Sequence, residues 1–246
     1  MKFKSLILLL GLLTSLTSCM FTEELSINND GSGTYAFKMN MSQMMESMKE
    51  VSNKDSLKET EVLDTIVFFK DILEEKKDSI SRLTRDEQSL LKGLEDLKLH
   101  MQVDEENGKM LMDFVMDFKN IDELKDMQNK ISKAQALSDG KEQGNSLKSK
   151  ADVEYSFDGK TFRRSVIMKE LSEEKLQEVE KSIQQSGSFL EGTMYKIIYH
   201  FENEIEGVSF NGAVLSKDQK TVTIEVPLDS VMKNPKWLDF EIKLKK

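Results

Sequence analysis

Few side chains in this chain have the type and spacing that chemistry requires. There are two histidines, His100 and His200, a single cysteine, Cys19, and fifteen methionines. His100 falls with Lys98, Gln102 and Asp104 on the polar phase of an alternating run. His200 falls opposite Tyr195, Ile197, Tyr199 and Phe201, beside Lys196 and Glu202. A histidine works as a general base or metal ligand only with a converging partner, and spacing identifies none. Both are expected to be solvent-facing strand residues. No His-Glu-x-x-His zinc signature, Gly-x-Ser-x-Gly elbow or phosphate-binding loop occurs. Asn28-Asn29-Asp30-Gly31 invites a calcium-loop reading, but with Gly31 in sixth place Ser26 would be first and Phe37 twelfth. An acid and a bidentate glutamate are needed there, so a hairpin turn accounts for Asp30-Gly31. Met39, Met41, Met44, Met45 and Met48 form a dense run, and thioethers ligate Cu(I). Met39 and Met41 nevertheless share a strand phase, and Met44, Met45 and Met48 share a helix face, which predicts core packing. No catalytic, cofactor-binding or metal residue is assigned, and no enzyme is expected.

Cys19 carries a different chemistry. Lys2 and Lys4 form a charged start, Ser5–Thr14 is an apolar run much shorter than the roughly 20 residues of a bilayer span, and small residues follow. This is the layout of a secretory signal. Leu16-Thr17-Ser18-Cys19 matches the bacterial lipobox, in which the cysteine sulfur takes a diacylglyceryl group and the new amine is acylated after cleavage. Residues 1–18 are thus read as a lipoprotein signal peptide and Cys19 as the lipidation site, with palmitate-type chains holding the protein on a membrane. Each buried CH₂ contributes about 0.8 kcal/mol, so several chains anchor it durably. Loss of residues 1–18 removes Lys2 and Lys4, leaves 228 residues and takes the formal charge from -9 to -11. Residue 20 is Met and not Asp, so the inner-membrane retention signal of enteric bacteria is absent and the outer membrane is favoured.

Composition narrows the rest. Thirty-five basic residues against 44 acidic ones, without a basic cluster, argue against nucleic acid as partner. One cysteine forbids an intrachain disulfide framework or a thiolate metal cluster.

The elements that must position these residues follow from hydrophobic phase. Leu97, Leu99, Met101 and Val103 alternate up to Asn107-Gly108, after which Met110, Met112, Phe114, Met116 and Phe118 share one face. Asn-Gly between alternating runs is a strong hairpin signal. Two further hairpins join 21–28 to 34–41 through 29–33, and 152–157 to 160–168 through Asp158-Gly159. Helical patterns open at Ser42, Asn120 and Ser172. Strands are expected at 193–202, 207–211, 212–216, 221–226 and 238–244, with a short helix at 227–232.

Residues 60–96 are expected to be a helical insertion, with Val62, Ile66, Phe69 and Leu73 on one face and a capping box at Thr84–Glu87. Residues 138–150 form a polar exposed loop. The spacing thus predicts one α+β domain over 19–246, an antiparallel sheet of repeated strand-turn-strand-helix units with helices covering one face.

Glu24–Tyr35, Tyr195–Phe201, Ala213–Ile224 and Asn234–Leu238, in that order, resemble segments of uncharacterised bacterial lipoproteins of the Bacteroidetes side. Among named families the chain is similar to LppM-type lipoprotein domains. That resemblance implies a place in the cell envelope and carries over no catalytic residue. A membrane-anchored lipoprotein with a non-enzymatic binding or structural role is therefore expected, with a protein partner. The alternative is a carrier or binder of a lipid or other apolar ligand on the Met- and Phe-rich sheet face.

Overall fold

Alternation in this chain builds two sheets that cover each other. The computed structural model describes residues 20–43, 45, 62–125, 127, 150–186 and 192–245. All three predicted hairpins form: β1 (Met20–Ile27) with β2 (Gly33–Asn40), β4 (Lys98–Asp104) with β5 (Lys109–Phe118), and β6 (Ala151–Phe157) with β7 (Thr161–Met168). The turn glycines Gly31, Gly108 and Gly159 all have positive φ, the conformation that excluded most other residues there.

The remaining strands are β3 (Val62–Phe68), β8 (Met194–Phe201), β9 (Ile205–Val208), β10 (Val214–Leu215), β11 (Thr221–Pro227) and β12 (Phe240–Leu244). They assemble as an eight-stranded sheet, β10-β11-β8-β1-β2-β5-β4-β3, and a four-stranded sheet, β6-β7-β12-β9. Within the large sheet β1 is antiparallel to β2 but parallel to β8.

The expected α+β architecture is corrected by this arrangement. The chain is mainly β, the large sheet is mixed rather than antiparallel, and helices do not form the layer over its dry face. The second sheet does. Phe162 of β7 packs edge-on against Tyr199 and Phe201 of β8 at 5.1 and 5.7 Å between ring centroids, and Phe240 of β12 lies 6.0 Å from Tyr199. Interdigitation of inward side chains is how two sheets make one core. One-faced alternation reports that a strand needs a dry cover; it does not report whether that cover is a helix or another sheet.

The predicted helical insertion at 60–96 also divides. Val62–Phe68 is an edge strand paired with β4, and helix α1 begins only at Phe69 (Phe69–Glu75). Val62, Ile66, Phe69 and Leu73 fit a helical stripe, but the β-branched run from Thr65 to Val67 gains more by pairing. Two short helices follow, α2 (Lys77–Ile80) and α3 (Arg85–Lys92). The capping box is present: Thr84 Oγ1 accepts from the Glu87 N–H at 3.3 Å, and the Thr84 N–H donates to Glu87 Oε2 at 3.1 Å. This segment buries Phe69, Leu91, Leu94 and Leu97 in the common core.

Helix α4 (Glu173–Ser186) follows Ser172 as expected, and α5 (Leu228–Lys233) precedes a 3₁₀ turn at Pro235–Leu238. Asn120 caps a 3₁₀ turn, Ile121–Leu124, by accepting from the Asp122 N–H at 2.9 Å. The signal segment with Cys19, most of the helix expected after Ser42, and the 138–150 loop apart from Lys150 lie outside the described residues.

Candidate functional site

The unusual chemistry of this molecule is buried between its sheets. On β1 the inward phase reads Phe21, Glu23, Leu25 and Ile27; on β7 it reads Phe162, Arg164 and Val166. Period-two geometry therefore carries one charge of each sign into the apolar layer. Glu23 is fully buried and Arg164 almost so. They meet there as an ion pair, Arg164 Nη2 to Glu23 Oε2 at 3.1 Å, with Nε donating to Oε1 at 3.2 Å. Such a bidentate fork suits a carboxylate. The third guanidinium nitrogen, Nη1, donates to the Leu238 carbonyl at 2.9 Å.

Three tyrosines complete the cluster. Tyr155 donates to Glu23 Oε1 at 2.8 Å, Tyr195 donates to Oε2 at 2.5 Å, and Tyr199 donates to Oε1. Tyr195 and Tyr199 come from β8 beside β1, while Tyr155 comes from the small sheet, so the carboxylate ties both layers together. Tyr35 lies next to Tyr155, 6.5 Å between centroids, and its buried hydroxyl finds no hydrogen-bond partner among the described residues.

Electrostatics fixes the protonation states. Burial alone pushes the Glu23 carboxyl up, but the Arg164 charge and the hydrogen bonds from Arg164, Tyr195 and Tyr199 more than offset it and hold it below the ordinary 4.5. Burial, and then the Glu23 charge, raise Tyr35, Tyr155, Tyr195 and Tyr199 well above 10.0. The carboxylate thus stays ionised and the phenols stay neutral. A carboxylate saturated by donors is a poor base, and a phenol held protonated is a poor nucleophile. The arrangement joins layers; it does not present a reactive atom to solvent.

This cluster was missed by searching for catalytic spacing. Its signal was present all the same, as a Glu and an Arg on otherwise apolar strand phases.

Both histidines occupy the outer, polar face of the large sheet, as their phase indicated. His100 Nε2 lies 2.6 Å from Asp64 Oδ1, and Asp64 also accepts from Gln102 at 3.0 Å. His200 Nε2 lies 3.3 Å from Glu24 Oε1, its Nδ1 lies 2.9 Å from Thr221 Oγ1, and Glu24 pairs with Lys38. Each histidine therefore has a carboxylate neighbour that sequence spacing could not supply, because strand pairing brings it from a distant segment. The two do not converge: β8 and β4 are four strand steps apart, about 19 Å at 4.8 Å per step. Among the described residues no group of three His, Cys, Asp or Glu side chains is placed to hold a metal. Met39 is buried in the core and Met41 packs against it; Met44 and Met48 lie outside the described residues.

Fold and site together define a two-sheet β-sandwich with an internally satisfied ion pair. No family model matches the chain. No curated protein matches it either. Among solved structures it is similar to the folded domain of the Mycobacterium tuberculosis LppM protein, determined by NMR. The TM-score is 0.41 with 7% identity over 93% of this chain and 91% of that one.

Proposed function

We propose that this protein is a lipoprotein of the bacterial envelope, anchored by acyl chains on Cys19, with a non-enzymatic binding or structural role. The observation that supports a non-enzymatic role best is the state of Glu23. Its carboxylate receives five hydrogen bonds inside a closed layer, leaving no free base or nucleophile at the most perturbed site of the described residues. The Leu16–Cys19 motif supports the anchor, and Met20 in the place of Asp supports delivery to the outer membrane. Between β8 and the small sheet the rings of Phe162, Tyr199, Phe201 and Phe240 pack on one another, which favours a filled core over a ligand space at that place.

The test is Cys19→Ser. The variant is expected to leave the membrane fraction and to lack the lipid-derived mass of the wild-type chain. Unchanged membrane retention with no lipid mass on the wild type would refute the anchor. An additional non-covalent lipid on the gently extracted protein would favour the carrier alternative instead.

A further inference from the structure

Among the described residues two sheets leave four edges, those of β3, β10, β6 and β9. The unpaired N–H and C=O groups of an edge are a template for another chain unless the strand is short, charged or covered. Three of the four edges are managed in this way. β10 has only two residues. β9 has four, and its Ile205 N–H donates to the Gln219 carbonyl at 2.6 Å. Against β6 packs the 3₁₀ turn Ile121–Leu124, and the next residue, Lys125, pairs with Glu154 of β6 at 3.3 Å.

The β3 edge is different. Val62–Phe68 pairs with β4 on one side and with no described strand on the other. It is seven residues long, has neither proline nor lysine, and exposes Val62, Leu63, Ile66 and Phe68, with Val62 71% and Ile66 56% accessible. Its single charge, Asp64, is held against β4, where His100 lies at 2.6 Å and Gln102 donates at 3.0 Å. Nothing in the strand itself turns a second strand away.

We infer that β3 is a homodimer interface: its open edge pairs antiparallel with β3 of a second copy across a two-fold axis at Thr65. Opposed residues must share a face of the sheet, so such an axis passes at a residue. Thr65 is the one position that uses all seven. Val62 then faces the partner's Phe68, Leu63 the partner's Val67, and Asp64 the partner's Ile66. Aromatic and β-branched pairs stabilise antiparallel strands, while an axis at Asp64 would set two carboxylates opposite each other. An axis at Ile66 would leave Val62 and Leu63 unpaired. The contact is isologous, so it closes at two copies and does not grow. It is small beside the roughly 800 Å² per partner of a standard interface, which makes the dimer weak and concentration-dependent.

Two chains held at one membrane can meet in this way. β1 runs parallel to β3, four strand steps away. Adjacent strands turn by about 20–25°, so β1 stands at roughly 80–100° to β3, near the direction of the two-fold axis. Both copies of β1 therefore run the same way.

Thr65→Cys tests the axis. Opposed Cα atoms lie about 4.5–5.5 Å apart, within disulfide reach. Leu63 and the partner's Leu63 are four residues out of register, about 13 Å along the strand, and beyond it. Each variant is made in the full chain and oxidised mildly in unfractionated cell extract, so the result does not depend on the anchor. The wild type, with Cys19 alone, is the blank. Thr65→Cys is expected to give a disulfide product of twice the chain mass, at least about tenfold above Leu63→Cys. Adding Ile66→Lys, a change at an exposed position, should cut that product about tenfold. In sedimentation the detergent-extracted wild type should approach the dimer mass as concentration rises, and Ile66→Lys should stay monomeric. Equal yields from Thr65→Cys and Leu63→Cys, no product above the blank, a product containing a different protein, or a wild type that stays monomeric would each overturn the two-fold pairing.

Discussion

Glu23 sits where an alternating strand ordinarily places an aliphatic side chain, and everything within reach donates to it. Removing a partner from such a site is costly because a buried charge or hydroxyl is left without compensation. Arg164→Met is expected to destabilise the fold by about 3–5 kcal/mol. Tyr155→Phe, which removes one of several donors to a buried carboxylate, should cost about 1.5–3 kcal/mol. Glu23→Leu should cost more than either, since it strands the guanidinium and three hydroxyls together. Tyr35→Phe should be milder than Tyr155→Phe, because its hydroxyl has no partner among the described residues. Denaturant midpoints measure all four. A Glu23→Leu protein as stable as Tyr155→Phe would show that the cluster does not hold the layers together.

At the scale of elements, the β1–β2–β5 pairing depends on Gly33. A Cβ there would run into the Ser26 carbonyl oxygen and stand 2.7 Å from Phe118 Cζ. Backbone cannot yield as a flexible side chain can, so Gly33→Ala should destabilise by about 1–3 kcal/mol, the range of overpacking. A stability equal to wild type in thermal unfolding would count against this register. The β3 strand illustrates the opposite case, where local pattern misled. Val62, Ile66 and Phe69 are spaced for a helix, yet hydrogen bonding to β4 decided the outcome, and α1 starts one residue after the strand ends.

The whole molecule should respond to alkali as a unit. Tyr155, Tyr195 and Tyr199 have folded pKa values well above 10.0, the value they regain on unfolding. Below pH 10 both states are protonated and these groups make stability independent of pH. Above it the unfolded chain loses protons that the folded one keeps, so stability falls as pH rises. Tyrosinate absorbance from the buried rings should therefore rise together with loss of far-UV circular dichroism. Ionisation of these rings in a still-folded protein would contradict their place between the sheets. Glu23 acts at the other limit: its lowered pKa adds stability above pH 4.5 that is lost as pH falls through the folded value.

Much of this protein was legible from the chain itself. The three hairpins, the α3 capping box and the outward phase of His100 and His200 depend on contacts within a few residues, or on the strict alternation of strand side chains. The Leu16-Thr17-Ser18-Cys19 run behind the proposed anchor is likewise read from the chain alone. What covers the dry face, which strand lies beside β1, and where Glu23 finds its counter-ion were decided only by tertiary structure. Arg164 is 141 residues from Glu23 and Tyr199 is 176 residues away. Period-two patterning says which way a side chain points but not what it meets, and a buried charge is tolerated only when the whole fold delivers its partners.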